Sequence, residues 1–108
     1  MIHQLKIMPE YFEAVISGKK TFELRVNDRD YKVGDYLALN EYDHENKAYT
    51  RRSCLVYVDY IMDQNTATGV PALKDNVVVM SIKPVKLETV FPDAPQVVRG
   101  CERLERSN

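Results

Sequence analysis

The chain contains no tryptophan and two cysteines, Cys54 and Cys101. Two cysteines are too few for the disulfide framework of a small secreted domain, and no signal peptide precedes Ile2. We therefore expect a cytoplasmic protein in a reducing compartment. The two histidines and two cysteines show no metal-ligand spacing, which argues against a structural zinc site. We expect neither a metal nor a cofactor.

Long apolar runs and an excess of basic charge are also missing. No apolar segment approaches the roughly 20 residues that a membrane-spanning helix needs, so no membrane contact is expected. The net charge of -1 and the isoelectric point near 6.1 argue against a protein that binds nucleic acid mainly through its overall charge. Any phosphate contact must come from a local group of basic residues.

The chain has 108 residues, enough for one domain, and its apolar periodicity predicts five strands and one early helix. Pro9 suits the first turn of that helix, and Gly18 suits its end. The strand with two apolar faces, residues 52–62, is expected to lie at the centre of the sheet. The predicted strands are Ile2–Ile7, Lys20–Val26, Tyr36–Tyr42, Arg52–Met62 and Asn76–Lys83.

Short turns between these strands predict a mostly antiparallel sheet. The fold class is therefore α+β and dominated by β: a small curled sheet or β-barrel of about five strands, with one short helix between the first two. Residues 2–86 form the predicted domain. Beyond Pro84 the pattern weakens, and residues 87–108 are predicted to form a loosely attached tail that ends with or without a short helix.

Residues 18–25 carry the most information about function. In the predicted second strand, Phe22 and Leu24 alternate with polar residues, and a period of two sends the two sets to opposite faces. We expect the apolar pair to face the core and the polar set to face solvent or a cleft. A cleft with these groups would suit a polar planar ligand. The polar side chains that would converge there are those of Lys20, Thr21, Glu23 and Arg25.

The same residues resemble the G-x-K-x-x-E-x-R signature of the ASCH domain, a branch of the PUA-like superfamily. A wider resemblance, over about residues 2–83, is to a small ASCH-like family of unknown function that is common in phages, prophages and bacteria. The resemblance implies a PUA-like β-barrel with a cleft beside the helix-to-strand junction, and RNA or a modified nucleoside as ligand. The wider resemblance rests on residues 3–7, 9–12, 27–30 and 33–35.

One relative with this fold is an amidohydrolase that removes the acetyl group from 4-acetylcytidine. The resemblance places its catalytic lysine at Lys20 and its nucleophilic threonine at Glu23, so the nucleophile is missing here. Thr21 lies on the same predicted strand face and would replace that threonine only in a reshaped pocket. No residue matches the relative's downstream glutamate. The amidase activity is therefore not transferred.

Each candidate residue also has a simpler interpretation. Lys20 is either a ligand contact or base in a cleft, or a solvated lysine. Glu23 and Arg25, about 6–7 Å apart on one strand face, either contact a ligand or form a surface ion pair worth under about 1 kcal/mol. Arg29 either belongs to a turn or reaches over the pocket. Lys6 either joins a basic rim or faces solvent.

Aromatic and basic residues outside this strand add further alternatives. His3 shares a strand face with apolar residues and is expected to be a core histidine with satisfied hydrogen bonds. Tyr31 and Tyr49 fall in predicted loops, where a ring could stack on a base. Arg51 and Arg52 form a second basic pair, which is either a soluble strand end or the outer half of an RNA track.

Three functions remain open from the sequence, and the leading one is a module that binds RNA or a modified nucleoside. The second is a small hydrolase of a modified pyrimidine nucleoside, with Lys20 as base and Glu23 as acid/base or water-positioning group. The third is a phage accessory interaction protein that uses the tail. The oligomeric state is open. For the leading function, the predicted ligand-binding residues are Lys6, Lys20, Thr21, Glu23, Arg25 and Arg29.

Overall fold

The computed structural model describes residues 1–64, 73, 76–85 and 97–98 of the chain. It contains the five predicted strands and the helix, but β2 begins at Phe22 and β4 begins at Ala48. The predicted tail lies outside the described residues except for a two-residue strand, so the domain boundary stays a prediction. The elements are β1 (Ile2–Ile7), α1 (Pro9–Ile16), β2 (Phe22–Val26), β3 (Tyr36–Asp43), β4 (Ala48–Met62), β5 (Val77–Pro84) and β6 (Val97–Val98).

The strands form one sheet in the order β1-β3-β4-β5-β2, with β6 beside β4. β1 runs parallel to β3 and β6 parallel to β4, while the other neighbours are antiparallel. β4 has partners on both sides, which confirms that the longest strand is central. The predicted fold class is confirmed: a β-dominated α+β fold with one short helix between the first two strands.

α1 covers one side of the core. Pro9 occupies its first turn, where no backbone N–H is required. Gly18 follows the helix with a φ of +83°, a conformation that glycine adopts without strain. The buried residues of this short helix join those of the sheet, and such packing stabilises a helix that is too short to persist alone. The core consists of Leu5, Ile7, Phe12, Val15, Ile16, Tyr31, Leu37, Leu39, Cys54, Val56, Val58, Val78, Met80 and Ile82.

β1 and β2 lie at opposite ends of the strand order, yet side chains connect them. Arg25 Nη2 of β2 donates a hydrogen bond to the carbonyl oxygen of Lys6 in β1 at 2.7 Å. Arg29 Nη1 donates to the carbonyl oxygen of Gln4 in β1 at 2.9 Å. Within the described residues, no backbone ladder joins the two strands. The sheet therefore curls until its two edges face each other, and we call the gap between β1 and β2 the seam.

The alternation predicted for β2 is present, but its two faces are reversed. Phe22 and Leu24 are 47% and 55% exposed, whereas Glu23 is 4% exposed and Arg25 is half-buried. The expectation that the apolar pair faces the core is wrong. A period of two separates two faces without saying which one is inside. Here the edge strand turns its carboxylate inward because neighbouring cations neutralise it, as described below.

His3 is a buried core histidine, as predicted. Its Nε2 donates a hydrogen bond to Asp35 Oδ2 at 2.8 Å. Asp35 also accepts the Lys32 backbone N–H at 3.0 Å and lies 3.5 Å from the N-terminal ammonium. Tyr31 contacts the His3 ring edge-on, with 4.8 Å between ring centroids, and is 5% exposed. The predicted role of Tyr31 as an exposed stacking ring is therefore wrong, because the loop folds this ring into the core.

Asp35→Asn tests the buried pair through its pH dependence. Burial opposes ionisation of Asp35, but hydrogen bonds from His3 and the Lys32 N–H, with the N-terminal charge, hold its pKa below the ordinary value of 3.8. A carboxylate whose pKa is lowered by folding contributes stability above its unfolded pKa, and this contribution is lost as the pH falls through the folded pKa. We expect wild type to be more stable than Asp35→Asn at about pH 7, with a difference that shrinks below about pH 4.

Urea unfolding of both proteins between about pH 7 and about pH 2.5 measures this difference. Because other carboxylates titrate in both proteins, the difference isolates the contribution of Asp35. A constant difference over the whole range would contradict the assignment.

Candidate functional site

The seam opens into a groove of about 520 Å³, which we call the seam groove. Its residues come from the end of β1, from α1 and the segment after it, and from β2. The groove therefore lies at the helix-to-strand junction, between the two edges of the sheet. The lining residues are Lys6, Ile7, Met8, Tyr11, Lys20, Phe22, Glu23, Leu24, Arg25 and Val26.

A buried carboxylate between two cations forms the charged part of the groove. Glu23 Oε1 accepts a hydrogen bond from Lys20 Nζ at 2.7 Å, and Oε2 accepts one from Arg25 Nε at 2.7 Å. Lys20 Nζ also donates to the carbonyl oxygen of Phe22 at 2.7 Å. Burial of an unpaired carboxylate would be costly, so both cations are needed to keep Glu23 inside. The three side chains form one rigid unit.

Arg25 has donors left over after these contacts. Arg25 Nε donates to Glu23, and one N–H of Nη2 donates to the carbonyl oxygen of Lys6. A guanidinium has five N–H groups in a fixed plane, so three have no acceptor within the described part of the chain. The side chain is 25% exposed and lines the groove. Arg25 therefore combines a fixed position with free donors, which is the requirement for recognising a carbonyl, a phosphate or a base edge.

The groove walls are apolar and exposed. Large apolar side chains at the surface are Tyr11 and Met8 on one side, and Phe22, Leu24 and Val26 of β2 on the other. Lys20 Nζ lies 5.0 Å from the Phe22 ring centroid and 5.9 Å from that of Tyr11. Apolar walls with a few fixed polar groups are typical of small-molecule sites.

A family model described as "Domain of unknown function (DUF3850)" matches residues 2–82, which include every residue that lines the groove. The chain belongs to this family. The matched segment is thus the part of the chain that forms the curled sheet and the seam. The ASCH signature of residues 18–25 stays a resemblance beside this assignment.

Two known proteins are similar to this DUF3850 chain. An "Uncharacterized 12.9 kDa protein in GpA 3'region" of Escherichia phage P2 is 46% identical over 41 residues, which span 38% of this chain and 38% of that protein. The crystal structure of hypothetical protein PH0355 aligns with 79% of this chain and 100% of its own, with a TM-score of 0.50 and 20% identity. The second likeness shows a shared fold alone.

The structure brings four of the six predicted ligand-binding residues together. Lys6, Lys20, Glu23 and Arg25 line the seam groove. Arg29 lies beside the groove, where it donates a hydrogen bond to β1. It also forms an ion pair with Asp28, with 3.8 Å between Nε and Oδ1. The sixth, Thr21, precedes β2, is exposed and is not among the lining residues. Its carbonyl oxygen instead accepts the N–H of the β5 residue Ile82 at 3.0 Å.

The charged groups of the groove are engaged with one another. Among the described residues, no serine, threonine or cysteine lines the groove. Both oxygens of Glu23 accept hydrogen bonds from cations, and Lys20 Nζ donates to two acceptors. An attacking water would have to displace these contacts before Glu23 or Lys20 acted on it.

A second charged network was not predicted from the sequence. Glu41 is buried and accepts hydrogen bonds from Arg52 at 2.9 and 3.0 Å and from Thr50 at 2.6 Å. Arg52 also donates to Glu13 of α1 at 2.6 Å and lies 4.7 Å above the Phe12 ring. The available signal was Glu41 itself, which falls on the same face of β3 as the buried residues Leu37 and Leu39. A carboxylate in that position requires a cation.

This network holds Glu41 in its charged form. Burial opposes ionisation, but the hydrogen bonds from Arg52 and Thr50 outweigh it, so the pKa of Glu41 is lowered. The pKa of Arg52 is raised, mainly by its hydrogen bond to Glu41. Arg52 is therefore a structural cation that fixes α1 to the sheet.

The described residues provide neither a metal-binding cluster nor a membrane-spanning helix. Within them, no group of three or more histidine, cysteine, aspartate or glutamate residues is arranged to hold a metal ion. None of the helices in the same part of the chain is both long and apolar enough to cross a membrane.

Glu23→Gln tests whether the carboxylate holds the seam. The amide keeps the shape of the side chain but leaves Lys20 and Arg25 without a counter-charge, so we expect a loss of roughly 2 kcal/mol in the free energy of unfolding. Urea unfolding at neutral pH measures it. Asp59→Asn is the matched control, because Asp59 pairs with Lys83 at 3.5 Å on the surface. That change should cost less than about 0.5 kcal/mol. Equal losses would show that Glu23 has no special structural role.

Proposed function

We propose that this domain binds RNA or a modified nucleoside in the seam groove. The observation that carries the proposal is the placement of Lys20 and Arg25, fixed by one buried carboxylate, at the base of a groove with apolar walls. The sequence likeness of residues 18–25 to the ASCH signature supports the same ligand class.

The proposed ligand enters with a base between the apolar walls. Phe22 and Tyr11 offer ring faces for stacking, and Leu24 offers a flat aliphatic contact. Arg25 then uses its free N–H groups on a carbonyl of the base edge or on the adjacent phosphate. Glu23 holds Arg25 in the required orientation, so it is a positioning residue.

Selectivity in this scheme comes from geometry, because the overall charge is -1. Glu23 already neutralises part of the charge on Lys20 and Arg25, which lowers their attraction for phosphate at long range. Lys6 and Arg29 add positive charge at the edge of the seam. Weak dependence on salt and strong dependence on the chemistry of the base are the expected signature.

Arg25→Ala is the first test of the proposal. We expect affinity for RNA or a modified nucleoside to fall at least about tenfold, because a charged hydrogen bond to a ligand contributes about 1.5–3 kcal/mol. Fluorescence anisotropy with short RNAs and calorimetry with a panel of modified nucleosides, both at low salt, measure it. Lys83→Ala removes one charge at an exposed position outside the groove and should change affinity less than about twofold. Absence of binding by the wild-type protein across the panel would refute the proposal.

Phe22→Ala tests the wall of the groove. Because Phe22 is 47% exposed, its removal should change stability little. Loss of a ring that stacks on a base should weaken binding by about 1–3 kcal/mol. Val33→Ala, at a residue that is 57% exposed and outside the groove, is the matched control for loss of exposed apolar surface. If both variants bind like wild type, the ligand does not stack on this wall.

A further inference from the structure

A bulge in β4 creates a second recess near the seam groove. Tyr42 pairs with Tyr49 and Asn40 pairs with Ser53, so between these pairs Glu41 alone on β3 faces three residues of β4. Bulges of this kind redirect side chains and often lie next to functional sites. We call the recess beside it the bulge pocket; it has a volume of about 440 Å³. Its lining residues are Asn40, Tyr49, Arg51, Arg52 and Ser53.

Arg51 adopts an unfavourable backbone conformation in this bulge. Its φ is +75°, in the region that favours glycine. Residues held there against their preference cluster at functional sites. The bulge also divides the basic pair: Arg52 is bound by Glu41 and Glu13, whereas Arg51 is exposed and has no ion pair within the described residues. One positive charge is therefore presented to the bulge pocket without an internal partner.

A line of contacts connects the bulge pocket with the seam groove. Lys6, which lines the groove, lies 4.1 Å above the Tyr42 ring. Tyr42 contacts Tyr49 edge-on at 5.0 Å, and Tyr49 is 56% exposed in the bulge pocket. On the strands beneath, Lys6 pairs with Asn40, and Asn40 pairs with Ser53. The two sites are thus about two strand spacings, or about 10 Å, apart.

We infer that the bulge pocket is a second subsite for a single-stranded RNA. The recognised base of this RNA occupies the seam groove, and the bulge pocket binds a phosphodiester group further along the strand together with the base next to that group. This inference rests on the proposed function and narrows its ligand from a free nucleoside to a strand. At 3.4 Å per nucleotide of a stacked strand, about 10 Å corresponds to about three nucleotides. Arg51 binds the phosphate, Tyr49 stacks on the base, and Asn40 and Ser53 supply hydrogen-bonding groups.

The experiment compares single-stranded RNAs of one to eight nucleotides, all carrying the same base at one end. Wild-type affinity should rise by about tenfold or more between one and about four nucleotides and then level off. Arg51→Gly should lower affinity for the longer RNAs about fivefold or more, reduce the slope of log affinity against log salt by about 0.7, and leave mononucleotide affinity unchanged. Its thermal midpoint should stay at or above that of wild type, because glycine relieves the backbone strain.

Lys32→Ala is the matched control. Lys32 is an exposed cation before β3, at the opposite end of the sheet from the bulge. It should change affinity for RNA of any length less than about twofold. Arg25→Ala weakens every length, which separates the two subsites.

The outcomes distinguish failure of the second subsite from failure of the proposed function. If mononucleotides bind and affinity does not rise with length, the second subsite is refuted while the seam groove stands. Equal affinities of Arg51→Gly and wild type for the longer RNAs refute it as well. If no RNA or mononucleotide binds at low salt, both the subsite and the proposed function fail.

Discussion

The burial of Glu23 between Lys20 and Arg25 is the interaction on which the rest of this structure depends. A carboxylate that is 4% exposed is tolerable because each of its oxygens accepts a charged hydrogen bond at 2.7 Å. Arg25 then has its Nη2 directed at the carbonyl of Lys6 on the opposite edge of the sheet. One buried negative charge thus orients the side chain that closes the curl. The seam groove exists because this closure is made by side chains that leave space between the strands.

Two other carboxylates at the edge of the apolar core are also buried and paired with cationic groups. Asp35 is paired with His3 and the N-terminal ammonium, and Glu41 is paired with Arg52. Each of these two carboxylates connects two segments of the fold, and the space between them is filled by aliphatic and aromatic side chains. Polar networks that are fully satisfied define which edges meet, and the apolar core supplies the stability.

The sequence was sufficient for the elements and the fold class because both depend on local patterns. Periods of two and of 3.6, a proline at a helix start and a glycine at its end gave the strands and α1. It was not sufficient for the direction of β2. Phe22 and Leu24 obey the alternation of a half-buried strand, but the side on which they lie depends on the curl of the sheet and on the two neighbouring cations that neutralise Glu23. The burial of Tyr31 on His3 is a contact across 28 positions of the chain, and no local pattern carries it.

The grouping of Lys20, Glu23 and Arg25 was predictable, whereas their arrangement was not. Spacing placed them on one strand or at its entry, but an exposed row of charges and a buried, cross-linked unit have the same spacing. The contacts of Arg52 could not be predicted from its position in the sequence either. Beside Arg51 it looks like half of a basic pair, and only the bulge, which sets Glu41 against three residues of β4, assigns one arginine to the core network and leaves the other exposed.

In the proposed function, a nearly neutral chain recognises its ligand through the fixed positions of polar groups in the groove instead of through a long-range electrostatic field. In this domain the cations at the groove are already bound to Glu23, so they attract a distant phosphate weakly but need little reorganisation when a ligand arrives. In the proposed function, the exposed apolar walls supply the binding free energy that charge does not, because a ligand would remove Phe22, Leu24 and Val26 from contact with water. The reversed orientation of β2 serves both parts of the proposed site: it turns the carboxylate inward to hold the cations, and it turns the apolar residues outward, where the proposed ligand would contact them.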